Sequence, residues 1–166
     1  MSAALAESVE LTSALTLDRI LDPTLARARQ QAQASGLAHA GGVSPAQAWA
    51  LVQAGAATLV DVRSNEERHF VGRVPGSVHV AWATGTALTR NPRFARELEA
   101  KVRKDQPLLL LCRSGKRSAL AAEAAAKAGF TQVFNVLEGF EGELDAAGQR
   151  GHADGWRFHQ LPWQQD

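Results

Sequence analysis

The sequence predicts an α/β domain with a central, mainly parallel sheet and helices on both faces. Three observations carry that expectation. Short β-rich runs alternate with helices bounded by capping residues. Leu108-Leu109-Leu110-Leu111 is a continuous apolar run of the kind found in a parallel strand covered on both sides. A length of 166 residues with 45% hydrophobic content suits one ordinary core rather than two.

Residues 1–42 are dominated by Ala, Ser, Gln and Leu and lack clusters of β-branched residues, so they read as an N-terminal extension, helical or flexible, ahead of a domain spanning 43–166. Within the extension, Asp22 is placed as an N-cap, Pro23 as the first helical residue and Gly36 near the stop. Leu17, Ile20, Leu21 and Leu25 lie at spacings of three and four residues and give one apolar face, to pack on the domain or on a second copy in a homodimer. Gly41-Gly42 reads as a joint. Ser44 and Pro45 then open a helix closed by Gly55, followed by the strand run Thr58-Leu59-Val60-Asp61-Val62. Ser64 with Glu67 forms a capping box for a short helix ending near Gly72, and Pro75-Gly76 turns the chain into a strand at 78–80. A helix over 91–103 opens at Asn91-Pro92 with Phe94, Leu98 and Val102 on one face. After the leucine run, alanine-rich residues 119–128 predict a helix stopped by Gly129, and residues 132–136 a last strand. From Glu138 the chain is rich in Gly and polar residues, with Trp156, Phe158, Leu161 and Trp163 expected to anchor it back over the sheet.

Lys and Arg total 18 against 17 Asp and Glu, a net charge of +1, so no global excess points to nucleic acid or an anionic membrane. The apolar runs are far shorter than the ~18 to 20 residues of a spanning helix. The N-terminus carries Glu7, Glu10 and Asp18 and does not resemble a secretory signal. The expectation is a soluble, cytoplasmic protein. A single cysteine, Cys112, excludes an intramolecular disulfide and a multi-Cys metal cage. His69 and His79, or His152 and His159, lack the short spacing of zinc ligands, and no metal is expected. His79 and Trp82 read as packing residues near the site.

Cys112 ends the leucine strand, and Arg113-Ser114-Gly115-Lys116-Arg117-Ser118 runs directly into the alanine-rich helix. In open α/β sheets ligands bind beyond the carboxyl ends of strands, where this loop lies. A tight loop turns backbone N–H groups inward and a helix N-terminus adds its positive dipole end; both favour a thiolate. Arg113, Lys116 and Arg117 add three positive charges that attract an anionic substrate. Gly115 lets the loop curl without a side chain in the pocket. A buried structural cysteine is the bland alternative, but three cations beside a core residue serve no packing purpose.

This loop resembles the active-site loop of the rhodanese-like sulfurtransferases. Leu59-Val60-Asp61-Val62-Arg63 is similar to that family's early strand motif, Gly72-Arg73-Val74-Pro75-Gly76-Ser77 to its Gly-His-Ile-Pro-Gly-Ala segment, and Asn135-Val136-Leu137-Glu138-Gly139 to its later strand and turn. The resemblance spans roughly residues 43–163 with the motifs in family order. It departs at Arg73, where the family usually has His, by one extra residue between Arg63 and Gly72, and at Gly139-Phe140-Glu141-Gly142-Glu143-Leu144, where a Gly-Gly then Trp pattern is common; these bear on the pocket rim and the substrate.

The resemblance implies a rhodanese-like fold and a two-step sulfur transfer. Cys112 would take a sulfane sulfur from an anionic donor such as thiosulfate as a persulfide, then pass it to a thiol, small-molecule or protein, or to cyanide. Residues Arg113, Ser114, Gly115, Lys116, Arg117 and Ser118 would bind substrate, no cofactor is implied, and Asp61 and Arg63 are expected as structural support, a buried acid paired with a cation. The alternatives are a non-catalytic binding or sulfur-delivery module and, further off, a cysteine phosphatase or arsenate reductase. A phosphatase loop places Arg after five intervening residues, whereas Arg117 follows only four and Leu111 precedes the cysteine.

Overall fold

The structure, a computed structural model, describes residues 21–166. Leu17 and Ile20 of the expected apolar face therefore lie outside the described residues. Helix α1 (Pro23–Ala34) starts where Asp22 and Pro23 place it, with the Asp22 carboxylate accepting from the Thr24 N–H at 2.9 Å. Its face of Leu25, Ala28 and Ala32 is buried. Leu21, Leu25 and Ala28 join one core cluster with Trp156, so the domain itself covers this part of the helix.

The chain continues through β1 (Gly42–Val43), α2 (Pro45–Gln53), β2 (Thr58–Asp61), α3 (Asn65–Val71), β3 (Val78–His79), the strands β4 (Ala83–Thr84) and β5 (Thr89–Arg90), α4 (Phe94–Lys101), β6 (Leu108–Leu111), α5 (Lys116–Lys127) and β7 (Val133–Val136). The expected capping box of Ser64 with Glu67 forms, and Ser44, expected as a cap, forms a second box with Gln47. Gly41-Gly42 is not a joint but the start of an edge strand: the Asn135 N–H donates to Gly41 O and the Leu137 N–H to Val43 O, each at 2.8 Å. A strand this short carries too little alternation to be read from sequence, and the β4–β5 hairpin escapes for the same reason. Helix α5 opens at Lys116, ahead of the expected Ala119, because Gly115 caps it.

The strands of the main sheet lie in the order β1-β7-β6-β2-β3, every neighbour parallel. The two-residue alternation of a strand sends Val60, Val62, Leu108 and Leu110 to one face, against Phe94 and Leu98 of α4 and Ala121, Ala122 and Ala125 of α5. Leu59, Leu109, Leu111, Phe134 and Val136 face the other way, against Leu25 of α1 and Ala48 and Leu51 of α2. All four leucines of β6 are 0% exposed, as expected for a central strand under two helical layers.

Strand order also fixes where a crevice opens. From β2 the chain moves outward to β3, while from the adjacent β6 it moves the opposite way to β7. Loops leaving β2 and β6 therefore diverge at the carboxyl ends of those strands, the usual place for a ligand in such sheets.

Past β7 the chain folds back. Trp156 is fully buried, edge-on to Trp49 at 5.9 Å, with Nε1 donating to Pro162 O at 2.9 Å. Of the other expected anchors, Phe158 and Trp163 stay 43% and 40% exposed, although Trp163 still meets the Phe140 ring edge-on. Trp156 thus holds the segment. Trp156→Ala is expected to destabilise the fold by about 3 to 5 kcal/mol, a fall in Tm on the order of 10 °C for a chain of this size. Thermal unfolding followed by circular dichroism checks this.

Candidate active site

The β2–β6 ladder stays paired to its last residues, with the Val62 N–H donating to Leu111 O at 2.9 Å. Cys112 therefore leaves the sheet at its centre, where the crevice opens, and is 1% exposed. Its carbonyl and the next are tied outward: the Phe140 N–H donates to Cys112 O at 2.8 Å, and the Glu141 and Gly142 N–H groups donate to Arg113 O at 2.9 and 3.1 Å. With those carbonyls turned away, the loop presents its N–H side to the sulfur. The Gly115 N–H lies 3.1 Å from Cys112 Sγ, reached with Gly115 at φ 93°, a left-handed conformation that glycine adopts without steric cost. The tie also demands Gly139, since a Cβ there would stand 2.5 Å from backbone atoms of Arg113 and Ser114.

On the first turn of α5, Ser118 is 0% exposed and places Oγ 3.2 Å from Cys112 Sγ and 2.5 Å from Asn135 Oδ1. Asn135 Nδ2 donates to Gly115 O at 3.1 Å. Asn135 carries no site role in the sequence reading. The available signal is a polar residue inside an otherwise apolar buried strand, which must find partners.

The loop cations fare differently from one another. Arg117 forms a two-point pair with Glu67 of α3, Nη1 to Oε2 at 2.8 Å and Nη2 to Oε1 at 2.6 Å. Lys116 is largely exposed and reaches Glu143 only at 3.6 Å. Arg113 lines a cavity of about 260 Å³ together with Ser64, Glu66, Glu67, Val71 and Leu88. Its Nε is buried with no hydrogen-bond partner among the described residues. Three charges counted along the loop thus become one balanced by a carboxylate, one in solvent and one at a cavity wall. The sequence shows Glu67 only as a capping residue, and its reach to Arg117 depends on the β2–β6 adjacency.

Beneath the loop, Asp61 and Arg63 are both 0% exposed. Arg63 donates from Nε to Asp61 Oδ1 at 3.1 Å, and from Nη2 to Asp61 Oδ2 and to Gly72 O, each at 2.8 Å. Arg68 adds a bond to Asp61 Oδ2 at 2.9 Å. Burial pushes the Asp61 carboxyl up, but the charges and hydrogen bonds of Arg63 and Arg68 outweigh it, and the group stays below the usual carboxylate range. Half-buried His79 donates from Nε2 to Arg63 O, 2.8 Å away, and burial lowers its pKa. Trp82 is packed edge-on against Phe94 at 5.2 Å. Arg73, where the resembled family usually has His, binds Asp166 at 2.6 Å and forms a backbone bridge to Gln164. Among the described residues no group of three or more His, Cys, Asp and Glu side chains is placed to hold a metal, and no helix is long and apolar enough to cross a membrane.

The Glu67 carboxyl is pushed up by burial, yet the hydrogen bonds from Arg117 and Ser64 pull it down to about 2 from 4.5. A carboxyl depressed in the folded state stabilises the fold above its unfolded value, and that contribution is lost as the pH falls toward the folded one. Glu67→Gln is therefore expected to lower Tm at neutral pH and to flatten the loss of stability between pH 4.5 and about 2. Melting curves across that range would show equal slopes for both proteins if the pair contributed nothing.

The family model of the rhodanese-like domain matches residues 44–145. Among relatives, the uncharacterized protein RP600 of Rickettsia prowazekii is 34% identical over 110 residues, covering 65% of this chain and 83% of its own. The thiosulfate sulfurtransferase GlpE of Actinobacillus pleuropneumoniae is 29% identical over 100 residues, covering 60% and 82%. The solved structure of Rv0390 from M. tuberculosis is 45% identical with a TM-score of 0.68, covering 75% of this chain and 97% of that one. With the parallel sheet, the loop after its central strand and a family match over more than half its length, this chain belongs to the rhodanese-like domain family.

Proposed function

We propose that this protein is a sulfurtransferase that carries a sulfane sulfur on Cys112. The observation that carries this reading is the cradle at Cys112 Sγ, with the Gly115 N–H at 3.1 Å and the Ser118 hydroxyl at 3.2 Å, both donors suited to a sulfur anion. A relative named as a thiosulfate sulfurtransferase, alike over 60% of this chain, supports it.

In the first step the Cys112 thiolate attacks the outer sulfur of a donor such as thiosulfate. An S–S bond forms, the donor's S–S bond breaks, and sulfite leaves with the electron pair. In the second step an acceptor thiolate or cyanide attacks the outer sulfur of the Cys112 persulfide, and the thiolate returns. Covalent catalysis of this kind divides one transfer into two easier ones. The Gly115 N–H and the Ser118 hydroxyl hold the anionic sulfur, with the other N–H groups of residues 113 to 117 proposed to join them as the outer sulfur is added. Arg113, on the cavity wall, meets the donor's negative charge, and Lys116 at the exposed rim adds a weaker attraction. Asp61 and Arg63 hold the loops beneath. Neither step calls on a cofactor. A phosphatase reading fits less well, because Arg117, the residue that would clamp a tetrahedral oxyanion, is already bound at two points by Glu67. Residues 43–166 are the proposed catalytic domain, working in the cytoplasm on a small anionic donor and a thiol acceptor.

Incubation with thiosulfate and cyanide should yield thiocyanate, and thiosulfate alone should add the mass of one sulfur atom to the intact protein. Cys112→Ser should reduce both to the uncatalysed background. A parent protein that neither turns over nor gains sulfur would refute the proposal.

A further inference from the structure

We infer that Asn135 is a positioning residue that sets the charge state of Cys112 by competing with its sulfur for the single hydroxyl proton of Ser118. The inference rests on the reading of Cys112 as the nucleophile, and its test does not depend on sulfur transfer.

Four contacts close a ring: Gly115 N to Cys112 Sγ at 3.1 Å, Ser118 Oγ to Cys112 Sγ at 3.2 Å, Ser118 Oγ to Asn135 Oδ1 at 2.5 Å, and Asn135 Nδ2 to Gly115 O at 3.1 Å. A serine hydroxyl has one proton to donate, so Ser118 serves Asn135 or the sulfur and never both. The asparagine amide cannot escape by flipping, since Gly115 O requires a donor and holds Nδ2 toward itself. Oδ1 is thereby fixed toward Ser118.

When the sulfur is a neutral thiol, the Ser118 proton sits on the short bond to Asn135 and every partner is satisfied. When the sulfur is a thiolate, the proton turns to it, and Asn135 Oδ1 is left buried 2.5 Å from another oxygen with no proton between them. An unsatisfied buried acceptor is costly. Asn135 therefore opposes the resting thiolate. In the persulfide the inner sulfur is neutral again and the ring closes as in the thiol. Within the proposed chemistry, Asn135 biases Cys112 toward the sulfur-loaded state over the empty thiolate.

The charges facing this ring remain in place when Asn135 is replaced. They are Arg117 on α5, paired with Glu67 from α3, and Asp61 and Arg63 at the end of β2 with Arg68 reaching Asp61 from α3. Arg113 and Lys116 belong to the loop itself.

The test is the pH dependence of iodoacetamide alkylation, which reads Cys112 directly because the chain has one cysteine. Asn135→Val keeps the space filled, so that no water replaces the amide; Asn135→Ala is the alternative if valine strains β7. Either substitution should lower the midpoint of the alkylation curve by about one pH unit, the size of one hydrogen bond to a charged group. Combined with Ser118→Ala, the Asn135 substitution should leave the midpoint where Ser118→Ala alone puts it, because its effect passes through that hydroxyl. An unchanged midpoint in the Asn135 variants, or an equal shift with and without Ser118, would overturn the inference. A shifted midpoint in a protein that transfers no sulfur would sustain it while sinking the sulfurtransferase reading. Sulfur transfer with an unmoved midpoint would do the reverse.

Discussion

The site depends on where two carbonyl oxygens point. A loop that leaves a strand and enters a helix within a few residues has its N–H groups on one side and its C=O groups on the other. In this chain the Cys112 and Arg113 carbonyls are claimed by the N–H groups of Phe140, Glu141 and Gly142. If those bonds were missing, oxygen lone pairs would be free to rotate toward the sulfur and repel its anion. The bonds are possible only because the chain after β7 reverses sharply, with Glu138 and Gly139 both at φ 68°. That turn is held from behind, where the Trp156 N–H donates to Gly139 O at 2.8 Å. A tryptophan buried far from the sulfur in sequence thus supports the geometry of the loop.

The same segment is gripped a second time. The Arg63 guanidinium lies over the Phe140 ring, 4.1 Å from its centroid, while its nitrogens hold Asp61 and Gly72 O. A buried ion pair is weak evidence of net stability, because desolvating both charges offsets their attraction. Its contribution here is positional. Arg63 ties the end of β2, the turn after α3 and the residue that anchors the Cys112 carbonyl to one another, so the walls of the crevice keep their spacing. A hydrophobic pair of equal volume would fill that space without fixing any of those directions.

These arrangements were unequally legible in the sequence. Helix starts were readable because capping is local: Asp22, Ser44 and Ser64 each bond within three residues of themselves. The central strand was readable because burial on both faces leaves an unbroken apolar run. Cys112 and its loop were readable because the nucleophile and its backbone donors are contiguous in the chain. What the sequence hid is what depends on partners distant along it. The Glu67–Arg117 pair joins residues fifty apart, and the Ser118–Asn135 bond joins the first turn of α5 to β7, seventeen residues on. Strand β1 is two residues long and shows itself only through the ladder it makes with β7. Counting cations along the loop likewise overstated its positive charge, since the balancing carboxylate comes from another helix.

That last point alters the electrostatics of the proposed reaction. With Arg117 balanced and Lys116 in water, most of what would hold an anionic sulfur comes from backbone N–H groups and the Ser118 hydroxyl. Such donors act over a few ångströms, whereas free charges act over roughly a Debye length of about 8 Å at physiological ionic strength. A cradle of short-range donors does little to gather anions from a distance, but it distinguishes sharply between sulfur species once one has entered. In the proposed reaction it would also spare a persulfide from an overly strong cation that would hinder the second step. With one cysteine in the chain, no internal thiol could resolve the proposed persulfide, so that reaction would need an outside acceptor. The cavity that Arg113 lines is walled by the apolar Val71 and Leu88 as well as by Glu66 and Glu67. If the proposed thiol acceptor entered by this cavity, it would meet both signs of charge and an apolar wall, a less uniform surface than a donor oxyanion alone would require.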